Sequence, residues 1–305
     1  MLLTARDLEI DLSGSPLIVG VVNATPDSFS DAGSTRSLGG VLKRAEALLE
    51  AGAEVIEVGG ESNVSNRPPV SVEEECERIA APVEEIAGWG VPVAIDTYKP
   101  PVAQVAIEAG ARIVNDISGF ADPAMAELCA RTGAAAVIVH TETPPKVSRW
   151  DPDLYPDGVV AHVRRWLADA AARLEAAGVR KSSIVLDPGP DFAKTPRQTV
   201  ELLAGLGEIV GLGYAVMLAS SRKDFIGALT KRRPSERLGG SLAAVAHGAA
   251  AGVHMLRVHD VRETRDFLTV RAALRDPESV DPALRVPEEV RRERPAERYE
   301  TRLRV

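Results

Sequence analysis

The chain contains eight short apolar runs, each of which ends at a polar or charged residue. The runs occupy residues 17–22, 55–58, 91–95, 113–114, 135–139, 184–186, 215–218 and 255–256. An uninterrupted run of Val, Ile, Leu and Ala is typical of a parallel strand, because helices cover both faces of such a strand. The pattern therefore predicts eight buried parallel strands.

Segments with helical spacing separate these runs. They span residues 38–51, 71–88, 101–109, 123–131, 158–177, 196–210, 237–251 and 262–274. Several end in Ala-Gly, where glycine can close a helix in the left-handed conformation. Polar residues end the apolar runs in all eight strand–helix units, whereas an open parallel sheet has its ligand site at one switch point. We therefore predict a (β/α)8 TIM barrel, in which the carboxyl ends of all strands meet at one face.

The chain length suits one such barrel with an appendage. The chain has 305 residues, of which 45% are hydrophobic, and this is enough for a full core. We assign residues 1–275 to the barrel and residues 276–305 to a C-terminal extension. The extension combines four prolines with many Arg and Glu residues, and we interpret it as a solvated segment or a short helix packed on the outside of the barrel.

Composition narrows the functional classes. A formal net charge of -8 argues against binding to a nucleic-acid backbone. Neither a signal peptide nor an apolar stretch of membrane-spanning length is present, so we expect no membrane partner and a cytoplasmic location. Cys76 and Cys129 lie in helix-like segments without metal-ligand spacing, and we interpret them as reduced thiols. No zinc site is predicted.

Seven motifs stand in order at the ends of the apolar runs. They are Asn-Ala-Thr-Pro-Asp-Ser-Phe-Ser-Asp-Ala-Gly at 23–33, Gly-Gly-Glu-Ser at 59–62, Ile-Asp-Thr at 95–97, Asn-Asp-Ile-Ser-Gly at 115–119, Asp-Pro-Gly at 187–189, Ser-Arg-Lys-Asp-Phe-Ile-Gly at 221–227 and Arg-Val-His-Asp at 257–260. Together they resemble the dihydropteroate synthase family of pterin-binding barrel enzymes, over about residues 17–267. The resemblance implies that 6-hydroxymethyl-7,8-dihydropterin diphosphate is condensed with p-aminobenzoate, giving 7,8-dihydropteroate and diphosphate. It also implies Mg²⁺ as cofactor and a homodimer.

The resemblance also implies a role for each matching residue. The pterin is expected to contact Asp96, Asn115, Asp187, Phe192, Lys223 and Arg257. The diphosphate is expected to contact Asn23, Arg257 and His259, with Asn23 also a ligand of Mg²⁺. The p-aminobenzoate side is assigned to Ser62, Arg67 and Asp224, and the catalytic residues to Asp27, Arg67 and Lys223.

The expected pterin contacts suit the ligand chemically. A pterin presents an edge of ring nitrogens, an amino group and a carbonyl, which requires carboxylate acceptors together with amide or ammonium donors. Each residue also has a structural alternative, in which Asp187 is merely a turn former, Asp96 merely a helix cap and Lys223 a solvated loop charge. His140 either lines the pocket or is a structural histidine. Lys194 is expected to be a surface charge.

Three features depart from the family pattern. After the fifth strand the family usually has a Met-His pair followed by a Gly-containing loop, whereas this chain has Val-His-Thr-Glu-Thr-Pro-Pro at 139–145, so the pocket wall differs there. The other two departures fall on the acceptor side. The second loop usually runs Gly-Glu-Ser-Thr-Arg-Pro-Gly in the family, but residues 60–69 here contain three inserted residues and lack the Thr. Asp224 follows Lys223 where many family members have Ser. An ionised Asp224 is expected to repel the carboxylate of p-aminobenzoate, because like charges in a partly desolvated site cost on the order of a kcal/mol or more.

Three other functions compete with the synthase activity. One is a related enzyme that keeps the pterin pocket but uses a different amine, or no amine. Another is a non-catalytic pterin- or folate-binding protein, which has little need for a diphosphate site. The third is a corrinoid-linked methyltransferase, which the motifs at 23–33 and 221–223 disfavour.

Overall fold

Eight parallel strands close into a barrel in the computed structural model, which describes residues 1–24, 37–62 and 68–292. The strands are β1 (Leu2–Ala5), β2 (Leu8–Asp11), β3 (Leu17–Asn23), β4 (Val55–Gly59), β5 (Val93–Asp96), β6 (Ile113–Asp116), β7 (Ala135–Val139), β8 (Ile184–Asp187), β9 (Ala215–Leu218) and β10 (Met255–Val258). Strands β3 to β10 pair in chain order, and β10 closes the ring against β3. The predicted (β/α)8 barrel is confirmed.

Helices follow the barrel strands and bury one face of each against them. They are α1 (Leu38–Glu50), α2 (Val72–Gly88), α3 (Pro100–Glu108), α4 (Pro123–Thr132), α5 (Val159–Ala176), α6 (Pro196–Ala204), α7 (Leu206–Val210), α8 (Asp224–Thr230), α9 (Leu238–Ala251) and α10 (Val261–Arg275). The single helix predicted over 196–210 is divided at Gly205. Helix α8 was not predicted from the sequence.

Strands β1 and β2 form an antiparallel hairpin that sequence patterning did not reveal. Leu3 and Ala5 of this hairpin are fully buried and pack with Leu17 and Val55 in the apolar cluster inside the barrel. The backbone N–H of Arg6 donates to the carbonyl of Gly133 at 2.7 Å. The hairpin therefore closes the end of the barrel at which the parallel strands begin.

The inward-facing positions of the barrel change from apolar to polar along the strands. Val55, Ala94, Ile113, Val185 and Met255 belong to the cluster inside the barrel. Because side chains alternate across a strand, the residue two positions further along also faces inward. Those residues are Glu57, Asp96, Asn115, Asp187 and Arg257. They form a layer of polar side chains, called the polar layer below, directly above the apolar interior.

The chain divides into two compact units, Met1–Leu268 and Thr269–Val305. The first unit contains the barrel and the hairpin. In the second unit, the described residues comprise the last turns of α10 and two 3-10 turns, Pro277–Ser279 and Glu288–Val290. The 3-10 turns are exposed, and α10 ends at Arg275. Among the described residues, no helix is both long and apolar enough to cross a membrane.

Candidate active site

Arg257, in the polar layer, contacts two carboxylates. Its Nε donates to Glu57 Oε1 at 2.6 Å, and its Nη2 donates to Asp96 Oδ2 at 3.0 Å. Burial acts to lower the pKa of Arg257, but the charges of the two carboxylates outweigh this effect and raise the pKa above its ordinary value. These contacts leave Nη1 without a partner among the described residues, so this group remains able to donate to a ligand.

Asn115 joins the same network from the neighbouring strand. Its Nδ2 donates to Glu57 Oε2 at 2.9 Å. Its Oδ1 is buried and has no hydrogen-bond partner within the described ranges. A buried acceptor without a partner is costly, and native proteins usually satisfy such a group with a ligand, a water or another protein atom. Asn115 therefore offers an acceptor to a donor group of a bound ligand.

Asp187 ends β8 in a tight turn. Its Oδ1 accepts from the backbone N–H of Gly189 at 2.7 Å, and burial raises the pKa of Asp187 to about 6. Gly189 has φ +64°, and a Cβ at this position would lie 2.1 Å from the carbonyl oxygen of His140. Only glycine fits such a turn without strain. The turn thus fixes a buried carboxylate that is ionised at neutral pH.

Two lysines flank this turn. The Nζ of Lys223 lies 4.2 Å from the ring centroid of Phe192, which is a cation–π distance. Lys194 is only 1% exposed, and its Nζ contacts His140 Nδ1 at 2.8 Å and the carbonyl oxygens of Gly189 and Phe192. The prediction that Lys194 is a surface charge was wrong. Burial lowers the pKa of Lys194 to about 7.

Asn23 is the last residue of β3, and His259 directly follows β10, the strand that carries Arg257. Asn23 is exposed. A Cβ atom placed on Gly59 would lie within about 4 Å of both Asn23 Oδ1 and Asp96 Oδ2. The Nδ1 of His259 lies 3.1 Å from Ser221 Oγ, which fixes the ring against the β9–α8 loop. Burial and the nearby Arg257 lower the pKa of His259 to about 4, so the imidazole is neutral at pH 7.

Comparison with known proteins identifies this arrangement. A family model described as "Pterin binding enzyme" matches residues 19–259. The dihydropteroate synthase of Escherichia coli (strain K12) is 41% identical over 271 residues, which cover 88% of this chain and 95% of that protein. The chain belongs to the dihydropteroate synthase family.

Solved structures of this family have the same fold. The Xanthomonas albilineans dihydropteroate synthase with 4-aminobenzoic acid has a TM-score of 0.81 and 34% identity, over 90% of this chain and 99% of that one. The Burkholderia cenocepacia dihydropteroate synthase complexed with 7,8-dihydropteroate has a TM-score of 0.81 and 33% identity, over 91% of this chain and 98% of that one. The likeness therefore extends over the whole barrel.

The residues predicted for the pterin side of this dihydropteroate synthase family member converge in space. Asp96, Asn115, Asp187 and Arg257 belong to the polar layer, and Lys223 and Phe192 lie beside the turn after Asp187. The charges of Lys223 and Arg257 both act to lower the pKa of Asp187, against the larger effect of burial. Their individual roles in binding stay predictions.

Asp224, at the start of α8, is paired in a way that the sequence did not indicate. Arg237 Nη1 donates to Asp224 Oδ1 at 2.8 Å, while the Asp224 side chain remains 70% exposed. Arg237 also donates to the carbonyl oxygens of Arg222 and Lys223. This ion pair and the exposure to solvent both weaken the repulsion expected between Asp224 and a benzoate carboxylate.

Ser62 is held by a buried ion-pair cluster around Glu61. Lys146 Nζ contacts Glu61 Oε1 and the carbonyl oxygen of Ser62, both at 2.8 Å. Lys99 Nζ contacts Glu61 Oε2 at 2.6 Å and Glu75 Oε2 at 2.7 Å. The cluster ties together the loops after β4, β5 and β7. It therefore fixes the start of the loop to which the p-aminobenzoate contacts are assigned.

Sequence inspection missed Glu57, which is 1% exposed and contacts both Arg257 and Asn115. Its signal was present, because Glu57 lies two residues after Val55 in an otherwise apolar strand and so faces inward. Two predicted catalytic residues, Asp27 and Arg67, lie outside the described residues.

Proposed function

We propose that this chain condenses 6-hydroxymethyl-7,8-dihydropterin diphosphate with p-aminobenzoate. The observation that supports it most directly is the polar layer, whose acceptors and donors suit the edge of a pterin ring. Asp96 and Asp187 supply carboxylate oxygens, and Asn115 Oδ1 supplies a buried acceptor that lacks a described partner. An analogue that lacks the matching donors would leave these groups unpaired, and this gives the site its specificity.

The reaction joins the amine nitrogen to the pterin methylene carbon. The bond from that carbon to the diphosphate oxygen breaks, and the amine loses a proton as the new C–N bond forms. Arg257 Nη1, His259 and Asn23 lie on the side assigned to the diphosphate, where the guanidinium stabilises the growing negative charge. Catalysis in this scheme rests on positioning and electrostatics, and no covalent bond to the protein forms.

We also propose Mg²⁺ as the cofactor. The amide oxygen of Asn23 is exposed at the strand end beside Asp96, and a single oxygen ligand suits Mg²⁺, which usually keeps several waters and binds substrate phosphates. When bound, Mg²⁺ neutralises charge on the diphosphate and helps it to leave. Asn23 would hold the ion, while Arg257 orients the same diphosphate group.

A homodimer in the cytoplasm completes the proposal, as the family resemblance implies. Val270 and Leu274 on α10 are apolar and largely exposed, which gives the last helix a surface that a second copy can cover. Light scattering on the purified protein should give a mass of two chains. A mass of one chain at micromolar concentration would contradict the dimer.

The decisive experiment measures diphosphate release from the pterin diphosphate with Mg²⁺, with and without p-aminobenzoate. Release that requires p-aminobenzoate, together with dihydropteroate identified by mass, supports the proposal. Release without the amine indicates a different reaction, and binding without release indicates a non-catalytic binder.

Asp96→Asn should lower kcat/KM about 10- to 100-fold, because hydrogen bonds to charged groups contribute about 1.5–3 kcal/mol. Asp169→Asn, at an exposed position on α5, is the matched control.

A further inference from the structure

We propose that His140, Glu142 and His162 form a binding site for a divalent transition-metal ion of the Zn²⁺ type. One ligand atom from each of these side chains lies within 4.8 Å of the other two. His140 follows β7, Glu142 lies in the loop after it, and His162 lies in the first turns of α5. Two imidazoles and a carboxylate are a ligand set that zinc proteins use, with the fourth position left to water or another ligand.

The spacing of the three side chains suits a tetrahedral ion. Metal bonds of about 2.0–2.1 Å place neighbouring ligand atoms about 3.3 Å apart. His140 Nε2 lies 3.6 Å from Glu142 Oε1, and His162 Nε2 lies 2.6 Å from the same oxygen. The second distance is that of a hydrogen bond, so an ion would require His162 and Glu142 to separate by less than 1 Å. Both side chains are about a quarter exposed, which allows this movement and gives an ion access.

His140 provides an independent indication of a ligand. The residue is fully buried, and Nε2 has no hydrogen-bond partner within the described part of the chain. This atom lies 3.6 Å from Glu142 Oε1, an oxygen that is already at hydrogen-bond distance from His162 Nε2. A metal ion between the three groups would give His140 Nε2 a partner and would replace the close contact between His162 and Glu142.

The surroundings of His140 resemble the supporting contacts of metal-binding histidines. Such a histidine usually donates its other ring N–H to a fixed partner, which orients the ring. Here Nδ1 lies 2.8 Å from Lys194 Nζ, whose other partners are two backbone carbonyls. This contact fixes the orientation of the ring, with Nε2 on the side of Glu142. Trp166 packs edge-on against His140 with ring centroids 4.9 Å apart.

This site differs from the proposed Mg²⁺ site in position and chemistry. The proposed Mg²⁺ ligand, Asn23, ends β3, and it offers only an oxygen, whereas His140 and His162 offer imidazole nitrogens, which suit Zn²⁺ better than Mg²⁺. An ion at the new site would fasten the loop between β7 and α5 to the first turns of α5. This site was not predicted from the sequence, because the three residues are separated by one and by nineteen positions and match no zinc-ligand spacing pattern.

The test titrates metal-free protein with Zn²⁺ by calorimetry, in the presence of excess Mg²⁺ to occupy oxygen-ligand sites. We expect one Zn²⁺ per chain. Loss of an outer-shell partner typically lowers metal affinity about 10- to 100-fold, so His162→Ala and Glu142→Gln, which remove direct ligands, should each lower it about 100-fold or more. His247→Ala, at an exposed histidine of α9, should leave it unchanged. Thermal unfolding of each variant checks that the barrel remains folded.

Absorption spectra with Co²⁺ in place of Zn²⁺ provide a second measurement. The intense visible bands of four-coordinate Co²⁺ are expected for the unmodified protein and should be lost in His162→Ala. Equal Zn²⁺ affinity in the His162→Ala and unmodified proteins would overturn the proposal. So would the absence of saturable Zn²⁺ binding, which would leave the three side chains as a hydrogen-bonded cluster only.

Discussion

Glu57 is predicted to be the main electrostatic support of the polar layer. Its carboxylate accepts from Arg257 Nε and Asn115 Nδ2, and Arg257 Nη2 lies 2.5 Å from Oε1. Glu57→Gln keeps the shape of the side chain and removes one acceptor oxygen and the charge. The new NH2 group must then face either Arg257 or Asn115, both of which are donors. Asn115 can flip its amide, but its Nδ2 would then be left buried without a partner.

The size of the effect follows from these contacts. Removing one partner of a buried ion pair typically costs about 3–5 kcal/mol. Arg257 retains Asp96 at 3.0 Å, so the cost should lie at or below the lower end of this range, and we expect a loss of about 2–3 kcal/mol in the free energy of unfolding. Urea denaturation with an unchanged m-value would measure this loss. Affinity for the pterin substrate should fall as well, because Arg257 and Asp96 lose their fixed positions.

Glu201→Gln is the matched control for this prediction. Glu201 pairs with Arg197 on the surface of α6, where the two side chains are 46% and 87% exposed. An exposed pair of this kind contributes at most about 1 kcal/mol. If Glu57→Gln destabilises the protein no more than Glu201→Gln and leaves pterin affinity unchanged, Glu57 does not hold the polar layer together and the reasoning fails.

Two further substitutions test the two substrate sides. Burial raises the folded-state pKa of Asp187 from 3.8 to about 6. The native state therefore binds this proton more tightly than the unfolded state does. The stability that Asp187 contributes at low pH is lost as the pH rises through about 6. Pterin affinity should instead fall as the pH drops below about 6, because the proposed acceptor is the ionised carboxylate. Calorimetry on Asp187→Asn should show weaker binding without this pH dependence. If the variant kept the pH profile of the unmodified protein, Asp187 would not be the pterin acceptor. Asp224→Ser should change the KM for p-aminobenzoate by no more than about fivefold, because an exposed, paired charge contributes at most about 1 kcal/mol. A tenfold improvement in steady-state kinetics would show that Arg237 does not offset the charge.

The barrel could be predicted from the sequence because its signals are local and repeated. Eight apolar runs with a polar end and a following helix specify the order of the strands, and closure follows from their number. The hairpin β1–β2 gave no comparable signal, because its strands have four residues each and its burial depends on the mouth of a barrel formed much later in the chain. The same holds for α8, a helix of seven residues inside a polar loop.

The candidate site was predicted where residues end strands and missed where tertiary contacts decide burial. Asp96 and Asp187 follow directly from strand ends. Lys194 lies in a loop between Ala and Thr, and only the fold reveals that His140 and two backbone carbonyls surround its Nζ. Lysine is rarely buried without such partners, so composition alone favoured a surface position. Glu57 was missed for a different reason, because it lies within an apolar run and not at the end of one.

The alternation that packs the barrel also places its chemistry. Inward positions are apolar from the closed end up to Val55 and Met255, and the next inward positions are Glu57 and Arg257. A slip of one residue in either strand would turn these charges toward the helices, where they would have no partner. The polar layer is largely satisfied internally, yet Asn115 Oδ1 and Arg257 Nη1 lack partners among the described residues. A ligand that donates to the first and carries negative charge toward the second completes the network, and a pterin diphosphate has both properties.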